Sequence, residues 1–289
     1  MKTVLITGAN GFIGKNLTKQ LGRKYHVLPI SRKEADLLDQ KQVERLFSRE
    51  NIDVVIHSAT QNTLGRGQEY EEKLLKNNLA MFFNLERCKS AYGKLFVLGS
   101  GAEYGKQQEL SLVEESAFGA VVPDDNYGLS KYAISKAMEQ SSNIYNLRLF
   151  GIFGPYENYN YRFISNVICK ALLGREIAIR QNVLFDYLYS KDFCRILPWF
   201  MEHEPKYHAY NVCTGKRIDI VSIAREILAQ TGSRSILTVK QQGFNREYTG
   251  SNRQMLLETG PVSFTPMNQA IAEMIEFYQN TTFHLEGNY

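Results

Sequence analysis

The stretch TGANGFIG, residues 7–14, decides the fold because it sets three glycines between an apolar strand pattern and a helical one. Glycines let the chain turn sharply and let backbone N–H groups approach a pyrophosphate, and the N-terminus of the helix adds a partial positive charge at the same place. The spacing is G-x-x-G-x-x-G rather than G-x-G-x-x-G. We therefore predict a dinucleotide-binding loop that uses Gly8, Asn10, Gly11, Phe12, Ile13 and Gly14.

Outward from this loop, apolar strand patterns alternate with helical ones. These strands are rich in β-branched residues and are apolar at consecutive positions, as parallel strands covered on both faces are. Repeated strand–helix units predict an α/β fold with a Rossmann-type doubly wound parallel sheet. Strands are predicted at 2–8, 25–31, 52–59, 94–100 and 144–151, with a late strand at 209–215, and helices at about 11–22, 40–50, 68–91 and 125–141.

From about residue 155 the pattern changes to helices separated by short extended pieces. We predict a smaller, mixed C-terminal substrate lobe, and the chain crosses back to the first domain near 205–220. The Rossmann domain is thus assigned to 1–155 plus about 205–220, and the lobe to 156–204 and 221–289. The predicted helices of this part lie near 160–174, 190–203, 219–231 and 267–280, and the extended pieces at 176–181 and 185–190.

Composition excludes several classes of protein. The chain has 289 residues, and 34 basic against 30 acidic residues give a net charge of +4 without any basic block, so we expect no nucleic-acid partner. The four cysteines, Cys88, Cys169, Cys194 and Cys213, form no C-x-x-C pair, which leaves a metal site without support. No apolar run approaches the ~18 residues of a membrane span, and the first residues read as a strand rather than a signal peptide. We expect a cytoplasmic protein.

The end of the second strand predicts which dinucleotide is bound. NAD-binding proteins usually carry a carboxylate there for the ribose 2′-hydroxyl, whereas this chain has Ser31, Arg32 and Lys33. The two cations suit an extra 2′-phosphate, so NADP(H) is the preferred cofactor and NAD(H) the alternative. Solvated loop charges are the other interpretation of this pair. Asp36 is a candidate for the adenine amino group, and the small Ala59 lets the cofactor cross the edge of the sheet.

Three polar side chains are predicted to meet at the carboxyl edge of the sheet, where ligands bind in this topology. Ser100 ends the strand at 94–100, and Tyr127 and Lys131 stand four apart, on one face of the next helix. This set is a carbonyl-reduction site. Tyr127 gives a proton to the carbonyl oxygen, Lys131 lowers the tyrosine pKa from its free value of ~10 and binds nicotinamide ribose, and Ser100 donates to the same oxygen.

The chain resembles the extended short-chain dehydrogenases/reductases of the sugar-nucleotide epimerase/dehydratase family. The resemblance implies a nucleotide-diphosphate sugar as substrate, a C-terminal lobe that binds it, a homodimer through a four-helix bundle, and Asn78 near the cofactor. The motifs that carry it are TGANGFIG, IDVVIHSA, NNLAMFFNL, LGSGAEYG, YGLSK, NLRLFGIFGP, YNVCTG and the tail TPMNQAIAEMIEFY.

Departures from the family patterns distinguish its activities. Dehydratases of the family carry Asp and Glu just after the serine position, but here Gly101 and Ala102 stand there, and Glu103 comes one place later. C4 epimerases commonly carry the acidic residue after the second strand, which this chain lacks. Similarity to GDP-fucose synthase implies a cysteine near the serine, but no cysteine directly follows Ser100 in this chain.

The pattern favours a ketoreductase, because the second strand–helix unit is short, without a full helix, as in the reductases that make deoxysugars. We predict NADPH-dependent reduction of a nucleotide-diphospho-4-keto-6-deoxysugar to the 4-hydroxy sugar. An NAD-dependent nucleotide-sugar 4-epimerase is the alternative, and a catalytically silent NAD(P)-sensing regulator is the alternative from another class.

The substrate-binding residues are suggested by the resemblance and by charge. The segment after Gly154-Pro155 is where family members meet the nucleotide diphosphate, so Arg162 and Asn166 are candidates for phosphate contacts, with exposed helix residues as the other interpretation. The family often has arginine before the position of Asp186, where Phe185 stands here. Two further candidates for phosphate or base are Arg180 and Arg253.

Overall fold

A computed structural model describes residues 1–61 and 68–285 of the chain. The last four residues of the predicted C-terminal lobe, 286–289, lie outside this part. Its strands are β1 (Thr3–Thr7), β2 (His26–Ile30), β3 (Ile52–His57), β4 (Tyr92–Ser100), β5 (Leu110–Val113), β6 (Ile144–Leu149), β7 (Gly151–Phe153), β8 (Ile177–Asn182), β9 (Leu184–Phe185), β10 (Tyr187–Tyr189), β11 (Ala209–Val212), β12 (Ile218–Asp219), β13 (Leu237–Phe244) and β14 (Tyr248–Gly250).

Helices follow most of the strands of the first 150 residues and make up much of the rest of the described chain. They are α1 (Phe12–Leu21), α2 (Gln40–Phe47), α3 (Gln68–Glu86), α4 (Asn126–Met138), α5 (Phe163–Leu172), α6 (Ser190–Glu202), α7 (Ile220–Thr231), α8 (Arg253–Thr259) and α9 (Met267–Gln279). Short 3-10 helices lie at Lys89–Ala91, Gly101–Tyr104 and Glu115–Ala117.

The largest sheet among the described residues has six strands in the order β2-β1-β3-β4-β6-β11, and every neighbouring pair is parallel. Alternate residues of a strand face opposite sides of the sheet, and β1 shows this directly. Val4 and Ile6 pack with α1 and α6 in one core cluster, whereas Leu5 packs with α2, α3 and α4 in another. Helices therefore cover both faces, and the predicted doubly wound parallel sheet is confirmed.

The second half of the chain builds a smaller mixed part. A four-stranded sheet has the order β12-β9-β14-β5, in which β12 and β9 are antiparallel while β14 pairs in parallel with both β9 and β5. A separate core of buried apolar residues joins helices α5, α7 and α9 with strand β8. The boundaries proposed for the two domains stay a prediction.

Several short elements differ from the sequence-based prediction. The strand predicted at 144–151 is divided into β6 and the start of β7, and the extended piece predicted at 185–190 into the end of β9 and β10. In each case one residue separates the two strands, and the two strands belong to different sheets. The helix predicted at about 40–50 is present as the eight-residue α2, whose N-terminus is capped by the Asp39 side chain, so the short second unit does contain a helix. Strand β13 was not predicted, since its exposed, polar sequence LTVKQQGF lacks an apolar face.

Membrane-spanning helices and groups of metal ligands would indicate other classes of function, and the described residues, 1–61 and 68–285, bear on both. None of the helices described there is long and apolar enough to cross a membrane. In the same part of the chain, no group of three or more His, Cys, Asp or Glu side chains is arranged to hold a metal ion.

Candidate active site

The glycine loop between β1 and α1 forms a tight backbone cradle. Gly8 has a φ of +66°, and a Cβ built on it would lie 2.7 Å from the backbone of Ala59. Gly14 belongs to the first turn of α1, where a Cβ would lie 2.2 Å from the Gly8 carbonyl oxygen. Only glycine fits these two positions, because one has a left-handed backbone conformation and the other lets helix and loop touch.

An open cleft of about 660 Å³ runs from this cradle along the carboxyl edge of the sheet. Its size and its backbone N–H groups at a helix N-terminus fit a dinucleotide. The cleft continues to the segment after Gly154-Pro155, which supplies its far wall. Its lining includes Gly8, Asn10, Gly11, Phe12, Ile13, Ser31, Arg32, Asp36, Ala59, Gln61, Asn77, Tyr156, Glu157, Asn158 and Arg162.

The loop after β2 holds the residues predicted to select the cofactor. Arg32 is exposed and lines the cleft, whereas Lys33 is exposed and is not part of the lining. The Ser31 backbone N–H and hydroxyl both donate to the Glu34 carboxylate, at 2.8 and 2.6 Å. Asp36 lines the cleft and accepts from the backbone N–H of Leu38. Glu34, four residues beyond the end of β2, was not predicted as part of this loop's chemistry.

Asn78 links three elements beside the cleft. Its side chain is buried, accepts from the Gln61 backbone N–H at 2.8 Å, and donates to the Gln61 carbonyl oxygen and to the Ser130 hydroxyl. Gln61 lines the cleft, and Ser130 lies on α4. Asn78 therefore joins a wall of the cleft to the helix that carries Tyr127, rather than lining the cleft itself.

Helix α4 begins after a capping residue, and it packs closely on the end of β4. Asp125 caps it, since the carboxylate accepts from the backbone N–H of Gly128 at 2.9 Å. A Cβ on Gly128 would lie 2.9 Å from the Ala102 carbonyl oxygen. The glycine of YGLSK thus lets the helix approach the turn that follows Ser100, and this brings Tyr127 close to the serine.

Ser100, Tyr127 and Lys131 lie near one another. The Ser100 hydroxyl is close enough to lower the pKa of Tyr127, and the Lys131 ammonium lies 5.9 Å from the centre of the Tyr127 ring. Lys131 is buried, and its Nζ donates to the carbonyl oxygen of Leu98 at 2.8 Å. None of the three lines the cleft described above, but Arg162, which does, acts electrostatically on Tyr127.

The ionisation of the pair differs from the prediction. Burial raises the pKa of Tyr127, while the Ser100 hydroxyl and the charge of Arg162 act in the opposite direction. Burial lowers the pKa of Lys131 to about 8. The predicted lowering of the tyrosine pKa is therefore wrong for the protein alone, because desolvation outweighs the groups that favour the phenolate. Burial and Lys131 lower the pKa of His57 to about 3, so its imidazole is neutral.

A buried polar network lies behind Ser100. Glu103 accepts from the Ser100 backbone N–H at 2.9 Å and from Arg148 Nε at 2.7 Å. Its carboxylate is fully buried. Two residues earlier, a Cβ on Gly101 would lie 2.6 Å from the Phe150 ring, so the site has no room for the acidic side chain of a dehydratase there.

The segment after Gly154-Pro155 adds two charged groups to the cleft. Glu157 is buried, and burial raises the pKa of its carboxyl to about 7, partly opposed by the Ser165 hydroxyl and by the charge of Arg162. Arg162 caps α5 with its backbone and is exposed. Its charge acts on both Glu157 and Tyr127, so the guanidinium lies near both groups.

The other predicted substrate-binding residues lie apart from the cleft lining. Asn166 uses its amide nitrogen to hold the loop before α5, donating to the carbonyl oxygens of Tyr159 and Asn160. Arg180 on β8 and Arg253 on α8 are exposed and do not line the cleft. Their roles in binding stay predictions.

Two residues of the site were not predicted from the sequence. Glu157 stands two residues after a Gly-Pro pair that had already been singled out, so its position was a usable signal. Tyr248 has no local signal, because its hydroxyl comes within 3.4 Å of Ser100 Oγ from 148 residues further along the chain.

Comparisons with known proteins agree with this geometry. A family model described as NAD dependent epimerase/dehydratase family matches residues 4–213. The chain is 26% identical over 269 residues to dTDP-4-dehydro-6-deoxy-D-allose reductase of a Streptomyces species, covering 80% of this chain and 82% of the relative.

A second relative is longer than this chain. The chain is 23% identical over 315 residues to the Arabidopsis thaliana trifunctional UDP-glucose 4,6-dehydratase/UDP-4-keto-6-deoxy-D-glucose 3,5-epimerase/UDP-4-keto-L-rhamnose-reductase RHM2, covering 96% of this chain and 47% of that protein. The chain thus spans about half the length of this second relative.

Solved structures share the fold. UDP-glucose 4-epimerase from Thermotoga maritima superposes with a TM-score of 0.84 at 19% identity, covering 96% of this chain and 99% of the other. A GDP-mannoheptose C4 reductase from Campylobacter jejuni with NADP bound gives a TM-score of 0.82 at 18% identity, covering 96% and 98%. At these identities the likeness shows the fold alone, and a reductase and an epimerase share it.

Proposed function

Because the chain belongs to the NAD dependent epimerase/dehydratase family, we propose that it reduces a nucleotide-diphospho-4-keto-6-deoxysugar to the 4-hydroxy sugar with NADPH. The observation that carries this proposal is that Tyr127 lies near Ser100 and Lys131, beside a position 101 that has no acidic side chain. A phenol, a hydroxyl and an ammonium are suited to reduce a carbonyl group.

The residues present fit a dinucleotide. The glycine cradle, where a side chain on Gly8 would meet Ala59, would hold the pyrophosphate, and Arg32 would pair with a 2′-phosphate. Asp36 and Ala59 would contact the adenosine and the middle of the cofactor. When bound, the reduced nicotinamide supplies a hydride.

The chain's own residues supply the proton and hold the oxygen. The raised pKa of Tyr127 keeps its phenol protonated near neutral pH, so it is ready to give a proton to the carbonyl oxygen. The phenolate left behind would be stabilised by the Ser100 hydroxyl and by the positive charge of Arg162, both of which lower its pKa. Lys131, with a pKa of about 8, adds a further positive charge beside the ring at neutral pH.

The substrate class is inferred from the family and from the position of Arg162. Its exposed guanidinium at the start of α5 is a suitable partner for the diphosphate of a nucleotide sugar. The dTDP-4-dehydro-6-deoxy-D-allose reductase relative supports a 4-keto-6-deoxysugar. We also propose a homodimer through α3 and α4, which pack together within the chain and leave Phe83 of α3 40% exposed.

An NAD-dependent 4-epimerase is the second candidate, and Glu34 is the observation that favours it. Its carboxylate lies in the loop after β2, near the place where NAD-binding proteins hold the ribose hydroxyl. Glu34 bonds to Ser31 and does not line the cleft, whereas Arg32 does. This arrangement supports NADPH over NAD.

One experiment distinguishes these functions from a regulator that only binds a dinucleotide. Purified protein is mixed with NADPH and a set of nucleotide-4-keto-6-deoxysugars, and absorbance at the NADPH band is followed. We expect NADPH to be consumed only when a suitable keto sugar is present. An epimerase would leave NADPH unchanged and carry bound NAD through purification, and a regulator would bind a dinucleotide without turnover.

A further inference from the structure

A second phenol reaches Ser100 from the C-terminal half of the chain. Tyr248 lies on β14, and its hydroxyl oxygen is 3.4 Å from Ser100 Oγ. The strand is fixed by its pairing with β5 and β9, and the tyrosine ring packs against Phe150 and Phe185, with centroids 5.3 and 5.4 Å away. Tyr248 is therefore held in place by both sheet and ring contacts.

Gly101 provides the space for this phenol. A Cβ at residue 101 would lie 2.8 Å from the Tyr248 hydroxyl and 2.6 Å from the Phe150 ring. No heavy atom fits at these distances without displacing one of the two rings. The absence of a side chain at Gly101 therefore leaves the room that the Tyr248 hydroxyl occupies beside Ser100.

The hydrogen bonds of Ser100 indicate what Tyr248 does. A serine hydroxyl has one proton to donate and two lone pairs that accept. The Ala102 backbone N–H donates to Oγ at 3.2 Å, which occupies one lone pair. Burial raises the pKa of Tyr248, so its phenol stays protonated and can donate to the second lone pair. The serine proton is then free for the oxygen of Tyr127.

We propose that Tyr248 is a positioning residue of the reduction site, which donates to Ser100 and thereby directs the serine proton toward Tyr127. The inference rests on the proposed function and deepens it. When the Tyr127 O–H bond breaks and its proton goes to the carbonyl oxygen, the resulting phenolate accepts from Ser100. Tyr248 strengthens that bond, because hydrogen bonds in a chain polarise one another.

Other charged groups also face Tyr127 and must stay constant in a test. Arg162 stabilises its phenolate, whereas Glu103 and Asp125 oppose it, and Lys131 lies against its ring. Glu103, Asp125 and Tyr127 are likewise the groups that act on the ionisation of Tyr248. Tyr248→Phe leaves all of these charges in place, so a change in Tyr127 reports the lost phenol.

The test is the titration of Tyr127 in protein without substrate or cofactor. Protein with ¹³Cζ-labelled tyrosine is titrated by NMR, and the resonance absent from Tyr127→Phe identifies Tyr127. In Tyr248→Phe we expect its midpoint to move to higher pH, since the phenolate loses support, and kcat for keto-sugar reduction to fall about tenfold with little change in KM. Gly101→Ala, which displaces the phenol without removing it, should move the midpoint in the same direction.

Tyr187→Phe is the matched control. Tyr187 lies on β10 with its ring against Phe185, and among the described residues it has no hydrogen bond to Ser100. An unchanged midpoint in Tyr248→Phe, or an equal shift in Tyr187→Phe, would overturn the inference. If the wild-type protein reduces no keto sugar but the midpoint still moves, the proposed function fails while the link from Tyr248 to Tyr127 stands.

Discussion

Glu103 and Arg148 form an ion pair with 2.7 Å between Oε2 and Nε, and both side chains are almost completely excluded from solvent. Arg148 also donates to Ser135 and Tyr104, and its guanidinium stacks 4.3 Å from the centre of the Phe118 ring. Because Glu103 also accepts from the Ser100 backbone N–H, this pair holds the backbone of Ser100 in place.

Glu103→Gln should therefore destabilise the protein strongly. It leaves the Arg148 charge buried without its counter-charge, which typically costs about 3–5 kcal/mol of the free energy of unfolding. Urea unfolding followed by circular dichroism measures the loss. The control is Glu139→Gln, which removes an exposed partner of Lys136 and should cost less than about 1 kcal/mol. Equal stability of the two variants would show that the rings and hydroxyls alone compensate Arg148.

Tyr127→Phe should abolish most turnover while the protein still binds NADPH. The variant loses the proton donor, which is worth about a hundredfold or more in kcat, but keeps the glycine cradle. Assays of keto-sugar reduction measure turnover, and fluorescence titration with NADPH measures cofactor binding separately. Tyr132→Phe, on the same helix with its ring against Phe118, is the control and should retain activity. Near-normal turnover in Tyr127→Phe would mean that another group gives the proton.

Arg32→Ala should weaken NADPH binding by about tenfold or more and change NADH binding little. We propose that the guanidinium, which lines the cleft, pairs with the 2′-phosphate of NADPH, and NADH has no such group. Isothermal titration with both cofactors gives the ratio of the two dissociation constants, and Arg23→Ala, exposed just after α1, is the matched control. If both cofactors lose affinity equally, Arg32 does not select between them.

Stability should fall as pH rises through the range in which Glu157 ionises. Its pKa is raised to about 7 by burial, above the unfolded value near 4.5, so the folded state binds more protons between these values. The contribution is fully present below pH 4.5 and is lost by about pH 7, amounting to roughly 3 kcal/mol.

Glu157→Gln, which stays neutral, should remove this slope. Urea unfolding at several pH values from 4.5 to 8 measures the difference between the variant and the wild type, and Glu109→Gln, an exposed position, provides the control. A difference between Glu157→Gln and wild type that is the same at every pH would show that the carboxyl ionises normally.

The first half of the fold could be predicted because local signals and long-range structure agree there. The strand, Gly8-x-x-Gly11 turn and helix are contiguous, and consecutive apolar residues are sufficient to identify a parallel strand covered on both faces. The strands of the second part are two to eight residues long, and an exposed strand such as β13 has no apolar face to mark it.

The candidate site divides in the same way. Ser100 and Tyr127 lie at positions that the order of strands and helices determines, so the sequence predicts their meeting. The pKa of Tyr127 depends on burial and on Arg162, which lies on another element. The residues around Tyr127 in the sequence indicate neither of these, so the sequence predicts a lowered pKa where the structure gives a raised one. Tyr248 reaches Ser100 only through the pairing of β14 with β5 and β9, and no pattern of neighbouring residues indicates that pairing.

The most direct measurement of the central claim follows the hydride itself. Protein is incubated with NADPH deuterated at C4 of the nicotinamide, separately on each face, and with a nucleotide-diphospho-4-keto-6-deoxysugar, and the product is examined by mass spectrometry and NMR. We predict one deuterium at sugar C4 from one of the two labelled cofactors, together with one NADPH oxidised for each sugar reduced. A sugar that is converted without deuterium at C4, or keto sugars that remain unchanged while NADPH stays reduced, would contradict the account.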